Sequence, residues 1–399
     1  MKTSKSTLKV ARMALEVATE SLAQYSHRKS PHKFTQPQLL ACLIVKEIRK
    51  LDYRSIHIML SEWSDLRDVL KLKKIPHFTT LCTASKRLLK KRESELLLQA
   101  ILQKCKVSGL LKDNSKLAAI DSTGIETRYA SRYYTRRCKR HLGHYKHRYP
   151  KLSAICDTCN HLILGIYVDR GPRLDHVEAR DTLSNALEHQ KFAILVADAG
   201  YESEKFHCLC RDQLGIESII PTTQRGRPRY DGNFKAVTGK YRQLMKKLFP
   251  KELYGQRWQI ETVFSMLKRN LGSAVRARSH YSQTREIRLR VLAHNLMILR
   301  HIILCFIQSR THPILFSCHS FILIGLPLGK GLSRLPNSVS SFATKASLPS
   351  GRPRLVDSRS LETSLLSSGC SNNCLHRSKL ISCFHDDMSS KSDFFSIPQ

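Results

Sequence analysis

Apolar strand-like runs alternate with amphipathic segments from Lys116 onward, and this order restricts the fold more than any other feature. The first runs are joined by short hairpin-like connections, whereas the later ones are separated by helical segments. The order therefore predicts an α/β domain with a mixed sheet. The predicted strands are 116–126, 147–158, 161–169, 192–200 and 217–221; the predicted helices are 175–189, 203–214 and a long helix from Lys251.

Changes in composition divide the chain of 399 residues into segments. Residues 1–33 are expected to form a basic N-terminal helix or arm, and 34–112 an all-helical domain. Residues 113–310 hold the α/β domain, with a basic insertion at 222–250. The serine-rich, low-complexity segment 311–399 is expected to be a disordered tail without a function of its own.

The charge balance predicts a polyanionic partner. The chain has 67 Lys and Arg against 32 Asp and Glu, a net charge of +35, and a hydrophobic share of 41% excludes disorder over most of the length. A field this positive favours nucleic acid. No secretory signal and no run of roughly 18 apolar residues is visible, so a soluble, cytoplasmic protein with reduced cysteines is expected.

The helical region 34–112 has a basic third segment, which runs from Pro76 to Arg92. Lys86 and Arg87 lie in it and are candidate DNA contacts of a helix-turn-helix. A plain helical domain with a solvated basic face explains the same pattern equally well. The alternatives stay open at this point.

Two aspartates each follow an apolar strand directly. Asp121 comes after Leu-Ala-Ala-Ile and Asp198 after Ile-Leu-Val-Ala. Functional groups converge at strand ends in open α/β sheets. A carboxylate there is costly to bury without a cation, and because neither has Lys or Arg beside it in the sequence, a divalent metal is predicted.

A third carboxylate belongs to a helical stripe. Tyr254, Arg257, Glu261 and Lys268 have spacings that place all four on one face of a helix. Glu261 could then approach the two aspartates, and three converging carboxylates are tolerable when Mg²⁺ or Mn²⁺ binds them. Two such ions would support cleavage or transesterification of phosphodiesters.

Together the Asp-Ser-Thr motif at Asp121, the Asp-Ala-Gly-Tyr motif at Asp198 and the pattern Tyr254-x₂-Arg257-x₃-Glu261-x₆-Lys268 resemble the DDE transposases of bacterial insertion sequences, of the IS4/IS5 type. The resemblance implies a ribonuclease H-like catalytic domain behind a helical DNA-binding domain. It also implies that Asp121, Asp198 and Glu261 are catalytic and hold two Mg²⁺ or Mn²⁺ ions. Tyr254, Arg257 and Lys268 are implied to contact DNA.

The implied activity is cleavage of double-stranded DNA at terminal inverted repeats and joining of the 3′ hydroxyl to target DNA. A homodimer on DNA, associated with the nucleoid, is implied as well. Two alternatives remain: a catalytically degenerate DNA-binding repressor, and a metal-dependent nuclease of the same fold. The segment 222–250 is too short for the β-rich insertion of some relatives. Whether the reaction passes through a DNA hairpin intermediate therefore stays open.

Further motifs carry weaker predictions. Arg132, Arg136 and Arg137 lie in a basic, aromatic run expected to follow the DNA backbone, although a solvated loop is the alternative. Cys156-x₂-Cys159 resembles only half a zinc site. The remaining acids are predicted to be non-catalytic: Asp157, Asp169 and Asp175 as solvated turn or loop acids, and Glu126 on the opposite side of its strand.

Overall fold

Two of the N-terminal helices begin where a side chain binds a free backbone N–H group of the first helical turn. Thr35 and Gln38 form a reciprocal capping box at the start of α2 (Gln36–Ile48), and Asp52 accepts the Ser55 N–H at the start of α3 (Tyr53–Glu62). The computed structural model describes residues 3–128, 149–223 and 236–311. The further helices of this region are α1 (Thr7–Ser21), α4 (Ser64–Val69), α5 (Phe78–Leu88) and α6 (Lys91–Val107).

The predicted single helical segment from Pro76 to Arg92 is wrong, because α5 ends at Leu88 and α6 begins at Lys91. Lys90 has extended backbone angles and caps α6. Leu88 and Leu89 on either side of the break are both buried. The periodic apolar pattern continues through the break, and so it could not show where the chain turns.

The central sheet confirms the predicted mixed α/β architecture. Within the described residues it has five strands in the order β4-β3-β1-β5-β6. The β4-β3-β1 half is antiparallel and the β1-β5-β6 half is parallel. The strands are β1 (Asn114–Gly124), β3 (Tyr149–Asp157), β4 (Ile163–Gly171), β5 (Lys191–Ala197) and β6 (Glu217–Ile219); β2 (Glu126–Thr127) instead pairs with β7 (Ala274–Val275).

Helices connect and cover these strands. The helix α7 (Asp175–His189) links β4 to β5 and packs on β3 and β4. A bent helical segment, α8 (Glu204–Cys208) continued by a π turn, leads to β6. The later helices are α9 (Lys240–Lys247), α10 (Lys251–Tyr254), α11 (Trp258–Leu271) and α12 (His280–Thr311).

A buried ionic network joins the helical region to the α/β domain. Arg290 of α12 is 2% exposed and contacts Glu47 of α2 and Glu286 of its own helix, each at 2.8 Å. Arg290 also donates to the carbonyl groups of Gly272 and Ala274. A buried guanidinium needs such partners. The network therefore fixes α2 against the segment that follows α11.

Among the described residues, no helix is both long enough and apolar enough to span a bilayer. The longest, α12, contains charged and polar side chains such as Arg290 and Asn295.

Candidate active site

The sheet register brings Asp121 and Asp198 to one edge. Ile120 of β1 pairs with Ala197 of the parallel neighbour β5, so the next residue on each strand is one of the two aspartates. Neighbouring parallel strands end at the same edge of a sheet. Asp198 directly follows β5, as predicted, whereas the placement predicted for Asp121 is wrong, because β1 continues to Gly124 along its antiparallel partner β3.

The environment of Asp121 opposes its ionisation. Burial raises the pKa of Asp121 to about 6, and the nearby charges of Asp175 and Asp198 act in the same direction. The Ser122 N–H donates to Asp121 Oδ1 at 2.7 Å and, with Arg257, moderates the increase. The ionised carboxylate of Asp121 is therefore stabilised when a cation binds to it.

Arg257 is the cation that faces these acids. Its guanidinium lies 2.8 Å from Glu261 Oε1. Burial lowers the pKa of Arg257, but Tyr254, Glu261 and Asp198 outweigh burial and raise it above its ordinary value. Arg257 also favours the ionised form of Asp121, so its charge acts on all three candidate carboxylates while its ion-pair contact is with Glu261. The sequence did not indicate this arrangement, because neither aspartate has Lys or Arg beside it along the chain.

The predicted single helix that carries Tyr254, Arg257, Glu261 and Lys268 is interrupted by a 3₁₀ turn, although the backbone angles on both sides of the turn stay helical. Tyr254 ends α10, Arg257 ends a 3₁₀ turn that starts at Gly255, and Glu261 and Lys268 lie in α11. The Arg257–Glu261 contact survives because the backbone of Arg257 remains helical. The spacing was sufficient to predict the pair but not the breaks between the helices.

Tertiary contacts hold the start of α11 in place. Gln259 is hydrogen-bonded to His161 of the β3–β4 turn at 2.5 Å. The carbonyl group of His161 in turn accepts from His294, a fully buried residue of α12. The helix that bears Glu261 is thereby tied to the sheet and to α12.

The other two residues of the stripe have different surroundings. Lys268 donates to Thr123 Oγ1 at 2.7 Å, so its ammonium group reaches the end of β1 beside the aspartates. The ring of Tyr254 packs against Phe249, and the Arg257 guanidinium lies 5.9 Å from the centre of the Tyr254 ring. Both residues therefore border the carboxylate cluster.

The donor set fits a hard divalent cation in its chemistry. Asp121, Asp198 and Glu261 supply carboxylate oxygens alone, which suit Mg²⁺ or Mn²⁺ better than softer metals. Among the described residues, no three His, Cys, Asp or Glu side chains are arranged closely enough to hold a metal ion in this conformation. Glu261 is engaged by Arg257 instead, with 54% of its side chain exposed.

The candidate DNA contacts of the helical region have distinct environments. Lys86 is exposed and borders a cavity of about 470 Å³ that is also lined by Arg276, Arg278 and Arg285. Arg87 donates to Gln36 Oε1 of α2. Arg132, Arg136 and Arg137 lie outside the described residues.

The prediction that Asp157, Asp169 and Asp175 are solvated acids is wrong for Asp157, which is 3% exposed and binds the Asn160 N–H. Asp175 and Asp169 keep 36% and 29% of their side chains exposed. Asp175 nevertheless accepts from Ser122 and pairs with buried Lys151. Asp169 pairs with Arg173. No local sequence signal indicated the partners of Asp175, because Ser122 and Lys151 are distant along the chain.

The weak zinc motif gains no support from the structure. Cys156 is fully buried in β3, and burial together with the charge of Asp157 raises the pKa of its thiol. Cys159 is exposed in the turn that follows. A protonated, buried thiol is a poor metal ligand. The prediction that Glu126 lies on the opposite face of the strand of Asp121 is wrong, because Glu126 lies in a separate strand, β2.

One protein family matches the part of the chain that holds the candidate site. Residues 113–296 match the family described as the transposase DDE domain, and the match includes Asp121, Asp198 and Glu261. Among solved structures, the chain is similar to that of a piggyBac transposase synaptic complex with hairpin DNA, at 9% identity and a TM-score of 0.35. That similarity covers 75% of this chain and 72% of the other. No curated protein matches this chain.

Proposed function

We propose that this chain cleaves double-stranded DNA at the ends of an insertion sequence and joins the 3′ hydroxyl to target DNA, because its residues 113–296 match the transposase DDE domain family. The observation that carries the proposal is the register that aligns Asp121 with Asp198 on neighbouring strands, with Arg257, the ion-pair partner of Glu261, close enough for its charge to act on both aspartates. The sheet order supports a ribonuclease H-like catalytic core.

We propose Asp121, Asp198 and Glu261 as ligands of two Mg²⁺ or Mn²⁺ ions. When bound, the ions supply activation of the attacking oxygen and stabilisation of the leaving oxygen in phosphoryl transfer. The buried carboxyl of Asp121 favours such a ligand because its ionised form is poorly solvated. Glu261 must exchange its Arg257 partner to take part, and its exposure leaves room for that movement.

The cationic residues around the carboxylates are proposed to position the DNA. Arg257 and Lys268 lie beside the strand ends and can bind phosphate oxygens there, while the Tyr254 ring borders the same surface. Lys86 and Arg87 of α5 are proposed contacts of the helical region with the terminal repeats. Binding of two repeats by two protomers is part of the same proposal.

The test compares the full-length wild-type chain with Glu261→Gln. A labelled duplex that carries the inverted repeats bracketing the reading frame is incubated with Mg²⁺ and an unlabelled target. We expect strand cleavage and joined product from wild type and at least a ~100-fold loss in Glu261→Gln, because a metal ligand is removed. Glu252→Gln is the matched control, since Glu252 is also exposed and lies close by in α10.

The products separate the proposal from its alternatives. Equal cleavage by wild type and Glu261→Gln would refute the proposed active site. Cleavage without joining would identify a nuclease. Tight DNA binding without either reaction would identify a repressor.

A further inference from the structure

Asp175, the first residue of α7, lies beside the edge of the sheet that carries the candidate catalytic aspartates. Its Oδ1 accepts the hydroxyl hydrogen of Ser122 at 2.5 Å. Ser122 directly follows Asp121, and its backbone N–H donates to Asp121 Oδ1. One side chain and one peptide group therefore separate the carboxylate of Asp175 from that of Asp121.

The same carboxylate oxygen binds a buried lysine. Lys151 of β3 is 4% exposed, and its Nζ lies 2.8 Å from Asp175 Oδ1. The Lys151 Nζ also lies 3.4 Å from Glu178 Oε2 and donates to the carbonyl of Arg173 at 2.7 Å. A buried ammonium group requires such partners. Lys151 therefore fixes the carboxylate of Asp175 in one orientation.

The second oxygen of Asp175 faces the other strand end. Gly200 lies two residues after Asp198, and a Cβ at Gly200 would stand 3.2 Å from Asp175 Oδ2. A side chain at Gly200 would therefore be crowded by Asp175, which shows that the segment after β5 lies close to this carboxylate. A single carboxylate thus binds Ser122, which follows Asp121, and lies close to the segment that follows Asp198.

We infer that Asp175 is a positioning residue of the catalytic centre, which holds the ends of β1 and β5 at the separation that allows Asp121 and Asp198 to share a cation. The inference rests on the proposed function, because it concerns the same carboxylates. The path runs from Lys151 through Asp175 to Ser122 and the Ser122 N–H that orients Asp121. Groups that orient metal ligands in this way typically contribute about 10- to 100-fold in metal affinity or activity.

The test measures Mn²⁺ binding to the full chain without DNA, by electron paramagnetic resonance titration. Asp175→Asn removes the charge that faces Lys151, whereas Ser122→Ala removes only the hydrogen bond and keeps the buried ion pair. We expect the Mn²⁺ Kd to rise about 10- to 100-fold in both variants. Asp169→Asn and Ser94→Ala are matched controls away from this path and should bind as wild type does.

Thermal unfolding in the absence of metal identifies variants that fail to fold. If Asp175→Asn is unfolded, Ser122→Ala decides. A folded Ser122→Ala variant with a Kd within twofold of wild type would overturn the inference. Asp121→Asn distinguishes failure of this inference from failure of the proposed function. If Asp121→Asn weakens Mn²⁺ binding but Asp175→Asn and Ser122→Ala do not, this inference alone is refuted. If Asp121→Asn binds Mn²⁺ as wild type does, or wild type binds none, the proposed function is refuted as well.

Discussion

Replacement of Asp121 by Asn should stabilise the protein in the absence of metal while abolishing its activity. Burial makes the ionised carboxylate of Asp121 unfavourable in the folded state, and Asp175 and Asp198 add repulsion. Asn has nearly the same shape and its Oδ1 can still accept the Ser122 N–H, but it carries no charge. The substitution therefore removes an electrostatic cost without opening a cavity.

The magnitude follows from the pKa of Asp121, which rises from 3.8 to about 6 on folding. A raised pKa means that the folded state binds more protons than the unfolded state between these values. The stability from this group is therefore fully present below 3.8 and is lost as pH rises through 6. With about 1.4 kcal/mol for each pKa unit, the cost of ionised Asp121 is roughly 1 kcal/mol at pH 4.5 and roughly 3 kcal/mol at pH 7.5.

Urea unfolding of the full chain in EDTA, at several pH values between 4.5 and 7.5, measures this difference. The free energy of unfolding of Asp121→Asn should exceed that of wild type by an amount that grows with pH and levels off above about pH 7. Asp169→Asn controls for the loss of an acid in an ion pair with a partly exposed arginine. An Asp121→Asn variant that is no more stable than wild type at pH 7.5 would refute the reasoning.

Three further changes test the packing and charge of the folded state. Glu47→Gln should lower the free energy of unfolding by about 3 kcal/mol, because it removes one of the charged partners of buried Arg290. Urea unfolding at pH 7.5 measures this change, and a free energy equal to that of wild type would contradict it. Burial lowers the pKa of His294 to about 4, so wild type should lose up to about 3 kcal/mol as pH falls from 6.5 through 4. His294→Gln should show a correspondingly flatter acid profile in the same assay, and an unchanged profile would count against it. Gly165→Ala should cost about 1–3 kcal/mol because its Cβ would stand 2.5 Å from the backbone of α7. Gly255→Ala, where a Cβ would meet nothing within 4 Å, should cost less than half as much by thermal unfolding.

Much of the fold could be predicted because its signals are local. The apolar runs that end at Asp121 and Asp198 have strand-like length and composition, and parallel neighbours end at one edge. The observed register places the two residues together as expected. The i, i+4 spacing of Arg257 and Glu261 likewise predicted a contact that the structure contains.

Predictions failed where an apolar or polar period continued through an interruption of a helix. The extended residue Lys90 and the 3₁₀ turn that starts at Gly255 interrupt no periodic pattern, so the sequence alone joined α5 to α6 and α10 to α11. The partners of Asp175 were missed for a different reason. An aspartate after a Gly-Pro loop resembles many solvated acids until its distant partners are known.

The amino-acid sequence by itself therefore determined the type and order of the strands and most of the helices, and which carboxylates follow the apolar runs of the two central strands, because these depend on short-range periodicity. Only the tertiary structure decided that the charge of Arg257 acts on all three candidate carboxylates and that Lys151 and Ser122 fix Asp175 near Asp121. Those contacts join residues far apart along the chain, and their strength depends on the burial that folding creates.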